Sequence, residues 1–187
     1  MFHSKGRDLS LPFLCLSLKA IMRILGVDPG SIKTGVGILD AHGNRLSYVY
    51  HTVIQAGKGD FSERLTNLFL GLNDIIAEFK PDTAAMEDVF VSKNVASALK
   101  LGQARGALIA ACGHHQLHVE PYSPTKVKQS LTGFGRADKS QIQHMVNMLL
   151  KPPPPLQEDA ADALAVCICH AHHAPVQTSR IRRRQQS

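Results

Sequence analysis

Four acidic residues carry the chemistry this sequence offers: Asp28, Glu87, Asp159 and Asp162. Asp28 closes the apolar run Ile24-Leu25-Gly26-Val27 and precedes Pro29-Gly30-Ser31, beyond which a second apolar run begins. A carboxylate at the end of a buried strand is costly unless it is paired or bound to a cation. The competing role for Asp28 is to open the turn before Pro29, an ordinary task for Asp. Gly30, Gly35 and Gly37 leave backbone uncovered nearby, as the close approach of a ligand requires. Glu87 repeats the situation, because Thr83-Ala84-Ala85-Met86 reads as a small-residue strand that ends in an acid. Asp159 and Asp162 are three residues apart at the start of a helical pattern, hence on one face. Their competing role is compensation of the helix dipole. Either aspartate alone would be explained that way; with two strand-end acids beside them, convergence on one cleft is the better reading.

Several carboxylates in one cleft repel one another and raise each other's pKa. Hard divalent cations remove that repulsion. Mg²⁺ and Mn²⁺ take oxygen ligands, which carboxylates and phosphate oxygens provide. Two such ions can activate a water and stabilise the leaving oxygen in phosphodiester hydrolysis.

The elements that must position these acids follow from hydrophobic patterning. Strands are expected at about Arg23 to Asp28, Thr34 to Asp40 and Leu46 to Ile54, joined by short turns into an antiparallel meander. A helix follows, with Phe61, Leu65, Leu68, Phe69, Leu72, Ile75, Ile76 and Phe79 on one stripe, capped by Asp60 or Ser62 and stopped by Pro81. Thr83 to Glu87 is a fourth strand and Leu117 to Glu120 a fifth. Between them a helix from about Asn94 to Cys112 is apolar on more than one face, which predicts burial on several sides by the fold or by a partner subunit. The two strands and this helix form a βαβ unit, so the strands should be parallel. Further helices are expected at Pro124 to Leu131, at Asp138 to Leu150 with Asp138 or Ser140 as cap, and from Glu158 to about His170. Thr132-Gly133-Phe134-Gly135-Arg136-Ala137 is a glycine-flanked basic loop, and Pro152 to Pro155 a stiff break.

The chain has 187 residues, enough for one domain with a full core. Its hydrophobic content of 44% and charged content of 19% place it among globular proteins. A net charge of +6 suits a polyanionic partner. Cys15, Cys112, Cys167 and Cys169 form no C-x-x-C, so neither a zinc ribbon nor a disulfide scaffold is indicated, and a reduced, cytoplasmic protein is expected. His114, His115, His118, His170, His172 and His173 lack a matching acid or cysteine frame and are expected at the surface. The apolar run from Leu9 to Leu18 is broken by Pro12, lacks a cleavage signature and is too short to span a bilayer. Residues 1–21 are therefore read as an extension outside the fold, 22–173 as the domain, and 174–187 as a basic, disordered tail without a membrane role.

At this point the sequence resembles the RuvC family of Holliday-junction resolvases. The resemblance rests on Gly26-Val27-Asp28-Pro29-Gly30-Ser31, Glu87-Asp88-Val89-Phe90, Ser97 to Gly106, Val127-Lys128-Gln129, and Asp159-Ala160-Ala161-Asp162-Ala163-Leu164-Ala165, in the family's order. It implies an α/β ribonuclease-H-like fold with a five-stranded mixed sheet, three antiparallel strands and then two parallel ones, flanked by helices. It also implies a homodimer that makes paired symmetric nicks in four-way DNA junctions during recombination and repair. Mg²⁺ would be the cofactor, with Mn²⁺ able to substitute and two ions per site. The catalytic and metal-binding acids would be Asp28, Glu87, Asp159 and Asp162. Phe90 would stack on bases near the junction centre, and Lys128 and Lys139 would lie near the scissile phosphate. The RuvA–RuvB branch-migration complex would be the partner.

Read from the residues alone, Phe90 follows the strand in a loop where it could stack on an unpaired base, with a core plug as the lesser alternative, and Lys128 and Lys139 read more readily as solvated helix charges. Three rival functions stay open at this stage. An actin-like or sugar-kinase-like ATPase also carries a strand-end Asp followed by glycines, but it needs two such domains and leaves Asp159 and Asp162 unexplained. A non-catalytic junction-binding protein fits the basic charge but not the acids. Another ribonuclease-H-like nuclease would differ only in substrate.

Overall fold

The structure is a computed structural model that describes residues 21–88 and 94–174. Most of the expected N-terminal extension, Phe90 and the basic tail lie outside the described residues. The chain opens with β1 (Met22–Asp28), β2 (Lys33–His42) and β3 (Arg45–Gln55), an antiparallel meander in which Asp28 stands opposite Gly35. Helix α1 (Phe61–Phe79) carries the chain to β4 (Thr83–Glu87), which pairs parallel with β1. Helix α2 (Val95–His114) then leads to β5 (Val119–Tyr122), parallel to β4. The sheet order is β3-β2-β1-β4-β5, the mixed five-stranded sheet expected from the patterning. Helices α3 (Pro124–Thr132), α4 (Lys139–Leu150) and α5 (Glu158–His173) complete the domain.

Capping chemistry selects the helix starts. The Asp60 carboxylate accepts from the Glu63 N–H at 2.9 Å while the Glu63 carboxylate accepts from the Asp60 N–H at 3.2 Å. Asp138 and Gln141 repeat this reciprocal arrangement on α4. Each pairing satisfies two backbone donors that a helix leaves orphaned. Ser62 and Ser140, the other candidate caps, donate to those aspartates at 2.7 Å.

Alternation along the strands splits the core between the two faces of the sheet. On one face Leu25, Val27, Val36 and Ile38 pack with Leu68 and Leu72 of α1 and Leu108 of α2. On the other, Ile24 and Leu39 pack with Val146 of α4 and Leu164 and Ile168 of α5. Ten of the 16 residues of α5 are buried, so this helix is the centre of its layer. It sits very close to the sheet. A Cβ on Gly35 would come within 1.9 Å of the Asp159 carbonyl oxygen, and one on Gly26 within 2.2 Å of the Ala163 carbonyl oxygen. A Cβ on Gly37 would lie 2.8 Å from Leu164 Cδ2. The expected role of Gly30, Gly35 and Gly37 as uncovered backbone for a ligand is thus corrected. Gly35 and Gly37 admit α5, and Gly30 makes room for its own turn, where a Cβ would meet the Lys33 carbonyl oxygen at 2.0 Å.

Two other expectations change. The fifth strand starts two residues later than its pattern suggests, because its register is fixed by pairing Ala84 with Val119 and Glu87 with Tyr122. His170 is buried, not at the surface. Its Nδ1 is 3.0 Å from the Tyr122 hydroxyl and its Nε2 is 3.4 Å from Thr83 Oγ1, so both ring nitrogens are satisfied inside the core. Burial also pushes its pKa below the usual imidazole value. Within one chain, α2 buries only the stripe Ala104, Leu108, Ala111 and Cys112, while Val95 is 76% and Leu99 64% exposed. Among the described residues no helix is long and apolar enough to cross a membrane.

Candidate active site

Parallel pairing of β1 and β4 is what joins the first two acids. Val27 stands beside Met86, so Asp28 and Glu87 follow as neighbours at the carboxyl ends of adjacent strands. Burial and repulsion among the neighbouring acids raise Asp28 and Glu87 together, so the protonated form of the pair is favoured when no cation is bound. The register continues to the helix. Asp28 faces Gly35 across β2, and Gly35 is the residue on which the Asp159 backbone rests. The first turn of α5 is thereby fixed beside Asp28, with Asp159 and Asp162 on one helical face.

The electrostatics agree with this convergence. Burial, then Glu87, then Asp162 and Asp159 push Asp28 up to about 8. Burial and Asp162 raise Glu87, which Lys128 and Lys139 partly offset. Burial raises Asp162, and Lys139 opposes it first, followed by repulsion from Glu158 and Asp159. Both lysines expected near the scissile phosphate therefore act on the acidic cluster. Lys128 comes from α3, and Lys139 from the first turn of α4, where its ammonium donates to Glu158.

Lys33, the first residue of β2, was not singled out by the sequence. Its ammonium donates to Asp159 Oδ2 and also feels Asp28. It lies five residues beyond Asp28 in the turn that reverses the chain, and that proximity was the one available signal. Arg64 of α1 donates to the Ser31 carbonyl and ties the same turn to the helix. At the other strand end, the Asp88 N–H donates to the Tyr122 carbonyl at 2.8 Å, and Arg105 of α2 donates to Asp88 Oδ1 at 2.7 Å. Both contacts fix Asp88, the residue that follows Glu87. Phe90 lies outside the described residues.

The donor set is entirely carboxylate oxygen, the kind taken by a hard divalent cation. Among the described residues no three His, Cys, Asp or Glu side chains are gathered into a closed metal-ligand group. Asp159 is engaged by the Lys33 ammonium, and repulsion among the acids raises Asp28. A divalent ion would relieve that repulsion and take the place of the ammonium, so the chemistry of the donor set fits such an ion.

Comparison with known proteins adds an independent line. The family model for crossover junction endodeoxyribonuclease RuvC matches residues 24–170. The chain is 54% identical over 157 residues to the crossover junction endodeoxyribonuclease RuvC of Citrifermentans bemidjiense, covering 83% of this chain and 95% of that one. Its fold superposes on Thermus thermophilus RuvC in complex with Holliday junction substrate with a TM-score of 0.75 at 29% identity, over 80% of this chain and 93% of that chain. The yeast mitochondrial Holliday junction resolvase shares the fold at a TM-score of 0.62 and 12% identity, over 80% of this chain and 78% of that one.

Proposed function

Because the chain belongs to the RuvC family of crossover junction endodeoxyribonucleases, we propose that it resolves four-way DNA junctions by paired symmetric hydrolysis of phosphodiester bonds. The observation that carries this reading is the meeting of two strand-end carboxyls, Asp28 and Glu87, with the first turn of α5.

Asp28, Glu87, Asp159 and Asp162 would hold the cofactor, Mg²⁺ with Mn²⁺ able to substitute, as two ions. When bound, such ions supply a nucleophilic water and neutralise the leaving oxygen. The chain's own residues do the rest. Gly35 and Gly26 let α5 lie against β1 and β2, which fixes Asp159 and Asp162 relative to Asp28. Arg105 and the β5 backbone hold the end of β4 and so orient Glu87. Lys128 and Lys139 place positive charge beside the acids, where a scissile phosphate would need it. Phe90 is assigned the role of stacking on bases near the junction centre.

A junction presents two equivalent strands, and a two-fold dimer presents two equivalent sites. The exposed Val95 and Leu99 on α2 support that helix as the dimer interface. The nuclease domain is taken as residues 22–173, with 1–21 and 174–187 outside it, and the RuvA–RuvB complex as the partner. The free thiols Cys112, Cys167 and Cys169 accord with a reducing, cytoplasmic setting. The test is incubation of a mobile four-way junction with the protein and Mg²⁺. Symmetric nicks on two opposing strands are expected; equal cutting of plain duplex would instead favour another ribonuclease-H-like nuclease.

A further inference from the structure

The loop between α3 and α4 is unused by the site as described. It begins at Gly133, whose φ of 78° is a left-handed conformation that favours glycine. It then presents Phe134 to solvent with 75% of the residue exposed. A single exposed apolar residue is ordinary. The backbone that carries this one is held in place. Thr132 Oγ1 accepts from the Phe134 N–H at 3.2 Å and lies 2.9 Å from the carbonyl oxygens of both Phe134 and Lys128. Gly135 closes the loop against α3, where a Cβ would meet Thr125 Cγ2 at 2.8 Å. The ring borders a cavity of about 660 Å³, lined also by Leu131, Arg136, Gln141, His144 and Met145.

The position of the loop decides what could fill that cavity. Lys128 lies one turn before Thr132, and Lys139 begins the helix after the loop. Both lysines act on the acidic cluster. From Pro124 to Gln157 the chain carries five lysines and arginines (Lys126, Lys128, Arg136, Lys139, Lys151) against one acid, Asp138. The Asp138 carboxylate is already occupied as the α4 cap. A polyanion is the complementary partner.

We propose that Phe134, with Arg136 beside it, is a stacking platform for a base of the junction strand that Lys128 and Lys139 hold at the site. With the Phe134 backbone already held by Thr132, the loop itself loses little freedom on binding, and a base offers the ring a π-face whatever its sequence. Arg136 supplies the adjacent phosphate contact. The inference rests on the junction-resolving reading above.

The test measures binding of the full-length protein to a four-way junction without added divalent cation, with 2-aminopurine scanned through the bases flanking the cleavage point. Wild type should quench or enhance the probe at one or two positions. Phe134→Ala should abolish that change and weaken binding about 5- to 50-fold, with Phe134→Trp restoring both. The salt dependence should be unchanged in Phe134→Ala and shallower by about one ion in Arg136→Gln. Unchanged binding and probe response in Phe134→Ala would overturn the inference and leave the groove to a protein partner. Equal loss in the Ala and Trp variants, or a lowered melting temperature in both, would overturn it by making the role structural. Mg²⁺-dependent cleavage by wild type is scored on the same junction; its absence would overturn the functional reading itself, and the inference with it.

Discussion

Asp28 and Glu87 stand at the carboxyl ends of two adjacent parallel strands, each the next residue after the paired Val27 and Met86. Burial and Glu87, then Asp162 and Asp159, push Asp28 up, so two buried acids here cannot both ionise cheaply. A proton or a cation relieves that repulsion.

That relationship gives a pH prediction. Asp28 has an ordinary value of 3.8 and is pushed up to about 8 by burial and by its acidic neighbours. Between those values the folded protein binds more protons than the unfolded chain. Its contribution to stability is therefore complete below about pH 4 and is lost as pH rises through about 8. Without divalent cations, the melting temperature should fall as pH is raised from about 5 to about 8, and Asp28→Asn should flatten that fall. At about pH 8 the variant should melt roughly 2–8 °C higher than wild type, for a gain of about 1–2 kcal/mol. Parallel melting curves for the two proteins across pH would contradict the raised Asp28 pKa.

Lys33 bonds to Asp159 and so competes with any cation for that carboxylate. Lys33→Gln should leave the fold intact, because the lysine is half exposed. Removing its positive charge should tighten Mn²⁺ binding about 3- to 10-fold, as read by titration calorimetry or by the loss of the free-ion spin-resonance signal. Unchanged or weaker binding would mean that Lys33 does not occupy the site.

Gly35→Ala should be costly at a position that looks harmless in sequence. The new methyl would lie 1.9 Å from the Asp159 carbonyl oxygen, which is backbone and cannot rotate away. Overpacking of this kind costs about 1–3 kcal/mol. Because α5 must lift, cleavage should fall more than that loss of stability would explain. Melting and cleavage rates measured together check this; a variant with normal values for both would show that α5 is free to sit further from the sheet.

Much of this was legible in the sequence because periodicity reports burial. The three-strand meander and the βαβ unit follow from alternation and from the apolar stripe of α1. The acids at Asp28, Glu87, Asp159 and Asp162 stood out because each sits where its element begins or ends. What sequence could not supply was pairing across long separations. Gly35 looks like exposed turn backbone until α5, more than a hundred residues later, is laid on it. His170 looks like one of a surface group until Tyr122 and Thr83 bracket its ring. Lys33 has no motif of its own, and its meaning comes entirely from Asp159.

The most direct measurement compares wild type and Asp28→Asn on one four-way junction, with binding by gel shift and nicking with Mg²⁺ both recorded. An amide oxygen is a much weaker ligand for Mg²⁺ than a carboxylate. Losing the cation should remove several kcal/mol of transition-state stabilisation, about a thousand-fold in rate or more. Junction binding should stay within about threefold of wild type, since it rests on lysine and arginine contacts to phosphate. Loss of nicking with binding retained is the predicted result. Nicking by Asp28→Asn at the wild-type rate would contradict the assignment of these carboxylates as the metal-holding centre.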